Sequence, residues 1–213
     1  MPPSEGPGDA IDREELLKDR ARLVLGRYGV VFRELLDREL PALQWPRLFR
    51  TLRLMELGGE VVAGRFFLGV PGLQFASHEA LRALRDGAPA EEVWWVNAAD
   101  PASPCGLALE GLDAGLPRRV ATSHLVFQGS RAVVVSERRG RRLEIRVGPD
   151  HPSLPEYLAF LKVLLTRAVS PMRAVVVETV NDEPAAGSSY RRVFDGLFHT
   201  TRDAGSLRLM RRY

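Results

Sequence analysis

The sequence is poor in cysteine and in long apolar runs. Cys105 is the only cysteine among 213 residues, which excludes an internal disulfide framework and any metal site built from several cysteines. No apolar run approaches the roughly 20 residues that a membrane helix needs, and no basic and then apolar leader of the signal-peptide kind is present. We therefore expect a cytoplasmic protein with no membrane partner.

The signatures of several enzyme classes are also missing. Lys18 and Lys162 are the only lysines and each follows a leucine, so the chain has no Gly-Lys-Ser/Thr loop to bind nucleotide phosphates. His78-Glu79 continues Ala-Leu-Arg, which is not the His-Glu-x-x-His pattern of a zinc site, and no Gly-x-Ser-x-Gly elbow occurs. These absences predict no metal, no cofactor and no ATPase activity by the P-loop route.

Positive charge is concentrated in the second half of the chain. The formal net charge is only +3, and residues 1–90 sum to zero. Residues 118–146, however, contain eight arginines and two glutamates, a local net charge of +6. Arginine suits phosphate and base edges, although a GC-rich genome also favours arginine over lysine. The clustering is therefore better evidence for an anionic partner than the composition is.

Helical patterning dominates residues 12–86, after a disordered leader over 1–11. The pattern predicts helices over 12–27, 31–39 and 46–57, the first opened by a capping box and the third ended by a pair of glycines. Short β-like runs follow over 60–63, 65–69 and 73–76, and a helix capped by Ser77 closes the domain. This order is typical of a winged helix-turn-helix; a small helical domain with a solvated arginine face is the alternative.

The third predicted helix has two different faces. At 100° per residue its apolar side chains form one stripe, made by Leu48, Phe49, Leu52 and Met55. The opposite side carries Arg47, Arg50 and Arg53, one turn apart. We expect these three arginines to face nucleic acid, with Arg65 on the wing.

After a linker over 86–92, the periodicity changes to that of strands. Residues 93–213 are predicted to form an α+β domain, a small antiparallel sheet or partly closed barrel with two helices. The strands are expected over 93–98, 119–127, 131–136, 142–147, 172–180, 197–202 and 206–211, and the helices over 153–167 and 188–196. Four arginines of a hairpin tip could bind phosphate, or could simply form a solubilising loop: Arg138, Arg139, Arg141 and Arg142.

Two carboxylates at strand ends are weak catalytic candidates. Asp100 lies in Asn-Ala-Ala-Asp-Pro and Glu183 in Asn-Asp-Glu-Pro. Loops at strand ends often carry function, and a carboxylate can orient water for attack at a sugar carbon. Both segments are also ordinary turn signals, and we favour that interpretation.

Several runs resemble the C-terminal region of the large helicase-related (Lhr) proteins, which are superfamily 2 DNA-repair helicases. The resemblance spans about residues 20–210 in order. It is carried by Arg-Tyr-Gly-Val-Val-Phe-Arg-Glu-Leu-Leu from Arg27, Leu-Gly-Gly-Glu-Val-Val-Ala-Gly-Arg-Phe-Phe from Leu57, Gly-Leu-Gln-Phe-Ala from Gly72 and Val-Glu-Thr-Val-Asn-Asp-Glu-Pro-Ala from Val177. It departs at 69–74, at 102–105 and at the arginine-rich 138–142. The resemblance implies a last winged helix followed by a terminal β-barrel, without the motor.

Three functions follow as hypotheses. The first is a DNA-binding module, on single strand or duplex, working with helicase motor domains in cis or in trans and without motor activity of its own. The second is a protein-interaction module, in which Trp94, Trp95 and Phe127 dock a helicase partner; adjacent tryptophans of one strand point to opposite faces. The third is a base-excision module of the DNA glycosylase kind, in which Asp100 or Glu183 acts on a flipped base.

Overall fold

In the computed structural model, residues 7–87, 89–107, 109 and 115–212 are described. Contacts divide the chain into two compact units. The first unit is Met1–Gly87 with Leu107–Ala114, and the second is Ala88–Gly106 with Gly115–Tyr213. Within the described part of the chain, no helix has the length and apolar character required to cross a membrane.

The first unit is a winged helix, as the pattern predicted. Its elements are α1 (Pro7–Tyr28), β1 (Val30–Val31), α2 (Arg33–Leu36), a 3-10 turn (Pro41–Leu43), α3 (Trp45–Leu57), β2 (Val62–Gly64), β3 (Gln74–Ala76) and α4 (His78–Asp86). The three strands form an antiparallel sheet in the order β1-β3-β2. Residues 65–73 join β2 to β3, and we call this segment the wing.

Packing of α3 against α1 forms the core of this unit. Leu48, Leu52 and Met55 of α3 are buried in one cluster with Ala21 and Val24 of α1. This is the apolar stripe that the sequence predicted, except that Phe49 at its edge is 39% exposed. Truncating a fully buried leucine of this kind typically costs 2–5 kcal/mol, so this helix pair is strongly held together.

Three boundaries in the first unit differ from the prediction. Helix α1 begins at Pro7, so the later part of the expected leader is helical; proline is tolerated in a first turn because its missing N–H has no helical partner there. Val31, which was predicted to begin the second helix, instead pairs with Phe75 in β1, next to Val30 opposite Ala76. The predicted strand over 65–69 is not formed; these residues belong to the wing, whose shape depends on hydrogen bonds to Gln74.

The buried side chain of Gln74 holds the wing in place. Its Oε1 accepts hydrogen bonds from the backbone N–H groups of Phe66 (2.8 Å) and Phe67 (2.9 Å). Its Nε2 donates to the carbonyl groups of Phe67 (3.1 Å) and Val70 (3.3 Å). Because this amide satisfies backbone groups that a strand partner would otherwise take, the wing keeps its shape without strand pairing.

The described residues of the second unit form two sheets and three helices. Its elements are β4 (Val93–Asn97), β5 (His124–Gln128), β6 (Arg131–Glu137), a 3-10 turn (Arg138–Gly140), β7 (Arg142–Ile145), α5 (Leu154–Tyr157), α6 (Ala159–Thr166), β8 (Val175–Val177), β9 (Thr179–Val180), β10 (Glu183–Pro184), a 3-10 turn (Ala185–Gly187), α7 (Arg191–Leu197), β11 (His199–Asp203) and β12 (Ser206–Met210). The fold class is α+β, as predicted.

The described strands form no closed barrel, which corrects one form that the sequence suggested. The larger sheet has the order β10-β9-β7-β6-β5-β4 and is open at both ends. Its pairs are antiparallel except for β7 with β9, which is parallel. The smaller sheet has the order β11-β12-β8. The predicted strand over 172–180 is split between the two sheets at Glu178, whose N–H donates to the Arg141 carbonyl (2.7 Å).

Both faces of the larger sheet are covered by apolar side chains. Val126, Val134 and Leu143 belong to a core shared with α5, α6, α7 and the smaller sheet. Alternate residues such as Leu125 and Val135 belong to a second cluster on the other face. The helix predicted over 153–167 is broken at Leu158 into α5 and α6, and Ser153 makes no capping hydrogen bond.

We expect Gly140→Ala to destabilise the second unit much more than Gly205→Ala. Both glycines have a positive φ, +87° and +95°. An added Cβ at Gly140 would lie 2.6 Å from Val175 Cγ1, whereas at Gly205 its nearest neighbour would be Pro184 Cβ at 3.7 Å. Left-handed strain alone predicts a loss of about 1–2 kcal/mol at Gly205, and added overpacking predicts about 2–4 kcal/mol at Gly140. Urea unfolding measures both; equal losses would contradict the contact at Val175.

Candidate nucleic-acid interface

A basic groove lies between α1 and the N-terminal half of α3. Its volume is about 650 Å³. Four of its lining residues are arginines and none is acidic; the lining consists of Arg13, Leu16, Leu17, Arg20, Pro41, Ala42, Pro46, Arg47, Arg50 and Thr51. Guanidinium groups bind phosphate through charge-assisted hydrogen bonds, so the chemistry of this lining suits a phosphate-bearing ligand.

Two of the four arginines come from α1, which was not predicted to carry binding residues. Arg13 and Arg20 are seven residues apart, so they project from the same side of the helix two turns from each other. Arg27 continues this spacing but forms an ion pair with Glu39 (2.6 Å). The seven-residue spacing of Arg13, Arg20 and Arg27 is the signal that the sequence contains. It indicates a basic groove only when α1 is known to pack beside α3.

The three arginines predicted on α3 do not form one group. Arg47 and Arg50 are exposed and line the basic groove. Arg53 does not line it and forms an ion pair with Glu56 one turn further along the helix. The structure therefore separates Arg53 from the other two, although all three lie on the solvent side of α3.

An aromatic groove flanks α3 on its other side. It has a volume of about 480 Å³ and is lined by Arg33, Glu34, Trp45, Pro46, Phe49, Pro71, Gly72 and Leu73. Pro46 lines both grooves, so they meet at the first turn of α3. Phe49 packs on Trp45 with ring centroids 5.2 Å apart and stays partly exposed. Its ring offers a stacking surface to a nucleic-acid base.

Arg65, the arginine predicted on the wing, is exposed directly after β2. It lies next to Phe66, whose backbone N–H is one of the two that Gln74 accepts from. The position of Arg65 is therefore tied to a buried hydrogen-bonded group rather than to a free loop.

Two of the four hairpin arginines in the second unit form ion pairs with carboxylates. Arg141 pairs with Glu178 (2.6 Å) and Arg142 pairs with Asp182 (2.9 Å). Arg138 and Arg139 are exposed and both have a left-handed backbone, with φ of +52° and +62°. Such a conformation is uncommon outside glycine and costs energy. The tip thus presents two guanidinium groups on a strained backbone.

The two weak catalytic candidates lie in different settings. Asp100 is exposed and its Oδ1 accepts a hydrogen bond from the Ala102 N–H (2.8 Å), which is the side-chain bond of an Asx turn. Glu183 is exposed on β10, the edge strand paired with β9. Within the part of the chain that the structure describes, neither residue lines any of the grooves above.

Both tryptophans of β4 are partly exposed, on opposite faces of the sheet. Trp94 stacks on Phe127 with ring centroids 4.3 Å apart, and its Nε1 donates to the Gly129 carbonyl (2.9 Å). Trp95 lies beside His124 and Phe160. The exposed fractions are 41% and 40%, so each tryptophan is only partly covered within its own chain.

A polar row that is buried at two of its three positions crosses the larger sheet and was missed in the sequence. Asn97, His124 and Ser136 face each other on β4, β5 and β6. The Asn97 amide donates to His124 Nε2 (3.0 Å), while His124 Nδ1 and Ser136 Oγ are buried and find no partner among the described residues. Burial lowers the pKa of His124, with a smaller contribution from the positive charge of Arg167. The imidazole is therefore held in its neutral form.

We expect the stability of the second unit to fall as the pH drops below about 6.5, the ordinary pKa of histidine. The unfolded chain then binds a proton that the buried ring of His124 resists, so stability is complete above that pH and decreases towards the lowered folded pKa. The limiting slope for one such group is about 1.4 kcal/mol per pH unit. Urea unfolding of wild type and His124→Gln between pH 8 and pH 5 measures it. An unchanged slope in the variant would exclude His124 as its source.

The first unit matches a known family. Residues 10–96 match the family model of the large helicase-related protein, winged-helix domain. No curated protein matches the chain. The matched segment runs from Ala10 in α1 through α4 to Val96 in β4, and it contains all the residues that line the basic groove. Residues 10–96 are therefore similar to the winged-helix domain of the large helicase-related family.

Proposed function

We propose that the chain binds nucleic acid through its winged-helix unit. It would serve as the nucleic-acid-binding module of a large helicase-related protein, with the motor supplied in cis or in trans. The observation that carries this proposal is the basic groove, in which arginines of two packed helices converge and no acidic residue is among the lining. A helicase-related family match over the same residues supports it.

The groove favours a polyanion over a small neutral ligand. Its arginines extend from Arg13 to Arg20 along two turns of α1, about 10 Å by helix rise, which exceeds the spacing of adjacent phosphates in one strand. Leu16 and Leu17 lie between them and also line the groove. A run of consecutive phosphates fits this length better than a single anion does.

DNA is the nucleic acid that we propose, in a repair context, because the family resemblance implies DNA-repair helicases. The chain contains no P-loop sequence, so we propose that it hydrolyses no ATP by that route and contributes binding alone. The aromatic groove adds a surface on which an unpaired base could stack against Phe49. Phosphate contacts would then supply most of the affinity, and stacking would favour DNA with unpaired bases.

We expect Arg50→Ala to weaken DNA binding and Arg53→Ala to leave it nearly unchanged. Arg50 lines the basic groove, whereas Arg53 is paired with Glu56. Loss of one phosphate contact should reduce the slope of log affinity against log salt by about 0.9 on duplex or about 0.7 on single strand. Fluorescence anisotropy with labelled duplex and single strand at several salt concentrations measures both variants.

Arg53→Ala is the matched control for this test, because it removes the same charge from the same helix one turn away. Arg20→Ala should behave like Arg50→Ala, since it lines the same groove from α1. Equal losses in Arg50→Ala and Arg53→Ala would mean that net charge alone matters and that the groove is not the site. No binding of either DNA at low salt would overturn the proposed function.

Arg139 tests whether the second unit takes part in binding. We expect Arg139→Gly to stabilise the unit by about 1 kcal/mol, because glycine adopts the left-handed backbone at little cost. If the hairpin tip contacts phosphate, the same change weakens DNA binding and lowers the salt slope. Arg141→Ala is the comparison, because Arg141 already pairs with Glu178. Thermal unfolding and anisotropy measure the two effects separately; a destabilised Arg139→Gly would contradict the strain.

A further inference from the structure

The aromatic groove beside α3 contains one carboxylate, that of Glu34 in α2. Its Oε2 atom is buried and has no hydrogen-bond partner among the described residues. Burying a charged oxygen costs free energy unless a donor satisfies it. Because no hydrogen bond within the described part of the chain holds this carboxylate, it can turn toward a donor in the groove. A ligand that brings N–H groups to Glu34 would therefore gain binding free energy there.

The remainder of the aromatic groove suits a flat ring. Phe49 packs against the buried rings of Trp45 and Phe75, whose centroids lie 5.2 and 6.1 Å from its own, so its exposed surface is held in one orientation. The groove volume of about 480 Å³ lies within the range of ligand pockets, about 300–1,000 Å³. A fixed aromatic ring beside an unsatisfied carboxylate is complementary to a base that stacks through its face and donates through its edge.

Guanine is the base whose edge matches a carboxylate. Its Watson–Crick edge presents two neighbouring donors, N1–H and the 2-amino group, and the two oxygens of an ionised carboxylate accept side by side. Adenine and cytosine place a ring-nitrogen acceptor beside their amino group, and thymine places a carbonyl on each side of its N3–H. A carboxylate that approaches any of these three bases therefore meets an acceptor as well as a donor.

We propose that the aromatic groove binds one unpaired guanine, which stacks on Phe49 and donates two hydrogen bonds to Glu34. This inference rests on the proposed function, since the basic groove would hold the phosphates of the strand that carries the guanine. The two grooves meet at Pro46, so a base turned across Pro46 enters the aromatic groove while its strand follows the basic one. The exposed guanidinium of Arg33, which also lines the aromatic groove, offsets the charge of Glu34 toward those phosphates.

Arg33 offers a second way to recognise guanine. Arginine commonly donates to O6 and N7 of this base, which lie on a different edge from the two donors. The burial of Glu34 Oε2 favours the carboxylate, because an unsatisfied buried acceptor regains a hydrogen bond on binding, whereas an exposed guanidinium exchanges water for the base. The two contacts use different atoms of guanine, so base analogues separate them.

Base analogues at one central position of a short oligothymidylate strand test the contact. Fluorescence anisotropy at one salt concentration compares guanine, 7-deazaguanine, hypoxanthine and thymine at that position. 7-Deazaguanine keeps both donors but lacks N7, and hypoxanthine lacks the 2-amino group. We expect wild type to bind the guanine and 7-deazaguanine strands about fivefold or more tightly than the thymine strand, as one bidentate base contact supplies. Hypoxanthine, with one of the two donors, should fall between them.

Glu34→Gln tests the protein side of the same contact. The change keeps the size of the side chain but replaces one acceptor oxygen with an amide donor. We expect it to abolish the preference for guanine while the thymine strand still binds. Glu79→Gln is the matched control, because it removes the same charge from an exposed residue that does not line the aromatic groove; it should keep the full preference. Circular dichroism confirms that both variants are folded.

Three results would overturn the guanine site. They are equal binding of the guanine and thymine strands by wild type, a guanine preference that survives Glu34→Gln, and a preference that is lost with 7-deazaguanine, which would assign the contact to Arg33. In each of these results the strands still bind, so the proposed function stands. Failure of every strand to bind at low salt would overturn the proposed function and the guanine site together.

Discussion

The contact between α1 and α3 determines what the winged-helix unit can bind. Leu48 and Leu52 of α3 insert against Ala21 and Val24 of α1, and close packing of these side chains fixes the rotation of both helices about their axes. Once that rotation is fixed, Arg47 and Arg50 emerge on the side where α1 carries its own arginines. The charged surface is therefore a by-product of the buried one, and a repacked core would move the arginines as well as weaken the fold.

In the second unit, backbone pairing between strands, rather than packing between helices, positions the polar groups. The alternation of β5 and β6 sends Val126 and Val134 to one core and Leu125 and Val135 to the other. The same alternation places His124 and Ser136 side by side in the interior. Polar residues at these positions cost stability, which makes the row around His124 the least well satisfied part of an otherwise apolar sheet.

The sequence predicted local features well and long-range ones poorly. The winged-helix order, the apolar stripe of α3 and the hairpins of the second unit follow from periodicity and turn residues, which act within a few positions. The role of Arg13 and Arg20 depends on which helix packs beside α3, and periodicity of a single segment carries no such information. The same limit applies to β8 and β9, which the pattern predicted as one strand. They belong to different sheets, and the strands that they pair with are distant in the sequence. The angle of 100° per residue grouped Arg53 with Arg47 and Arg50. Angular position alone does not predict the ion pair of Arg53 with Glu56.

One amide has an effect on the wing that reaches beyond its local geometry. Gln74 makes four hydrogen bonds to the wing backbone from a fully buried position, so the wing cannot loosen unless the interior opens too. Most loops that meet a ligand must lose conformational freedom when they bind, and that loss reduces affinity. In this domain the wing has already lost its conformational freedom when the domain folds. The wing, with Arg65 at its start, is therefore pre-organised, because the buried side chain that holds it is part of the core.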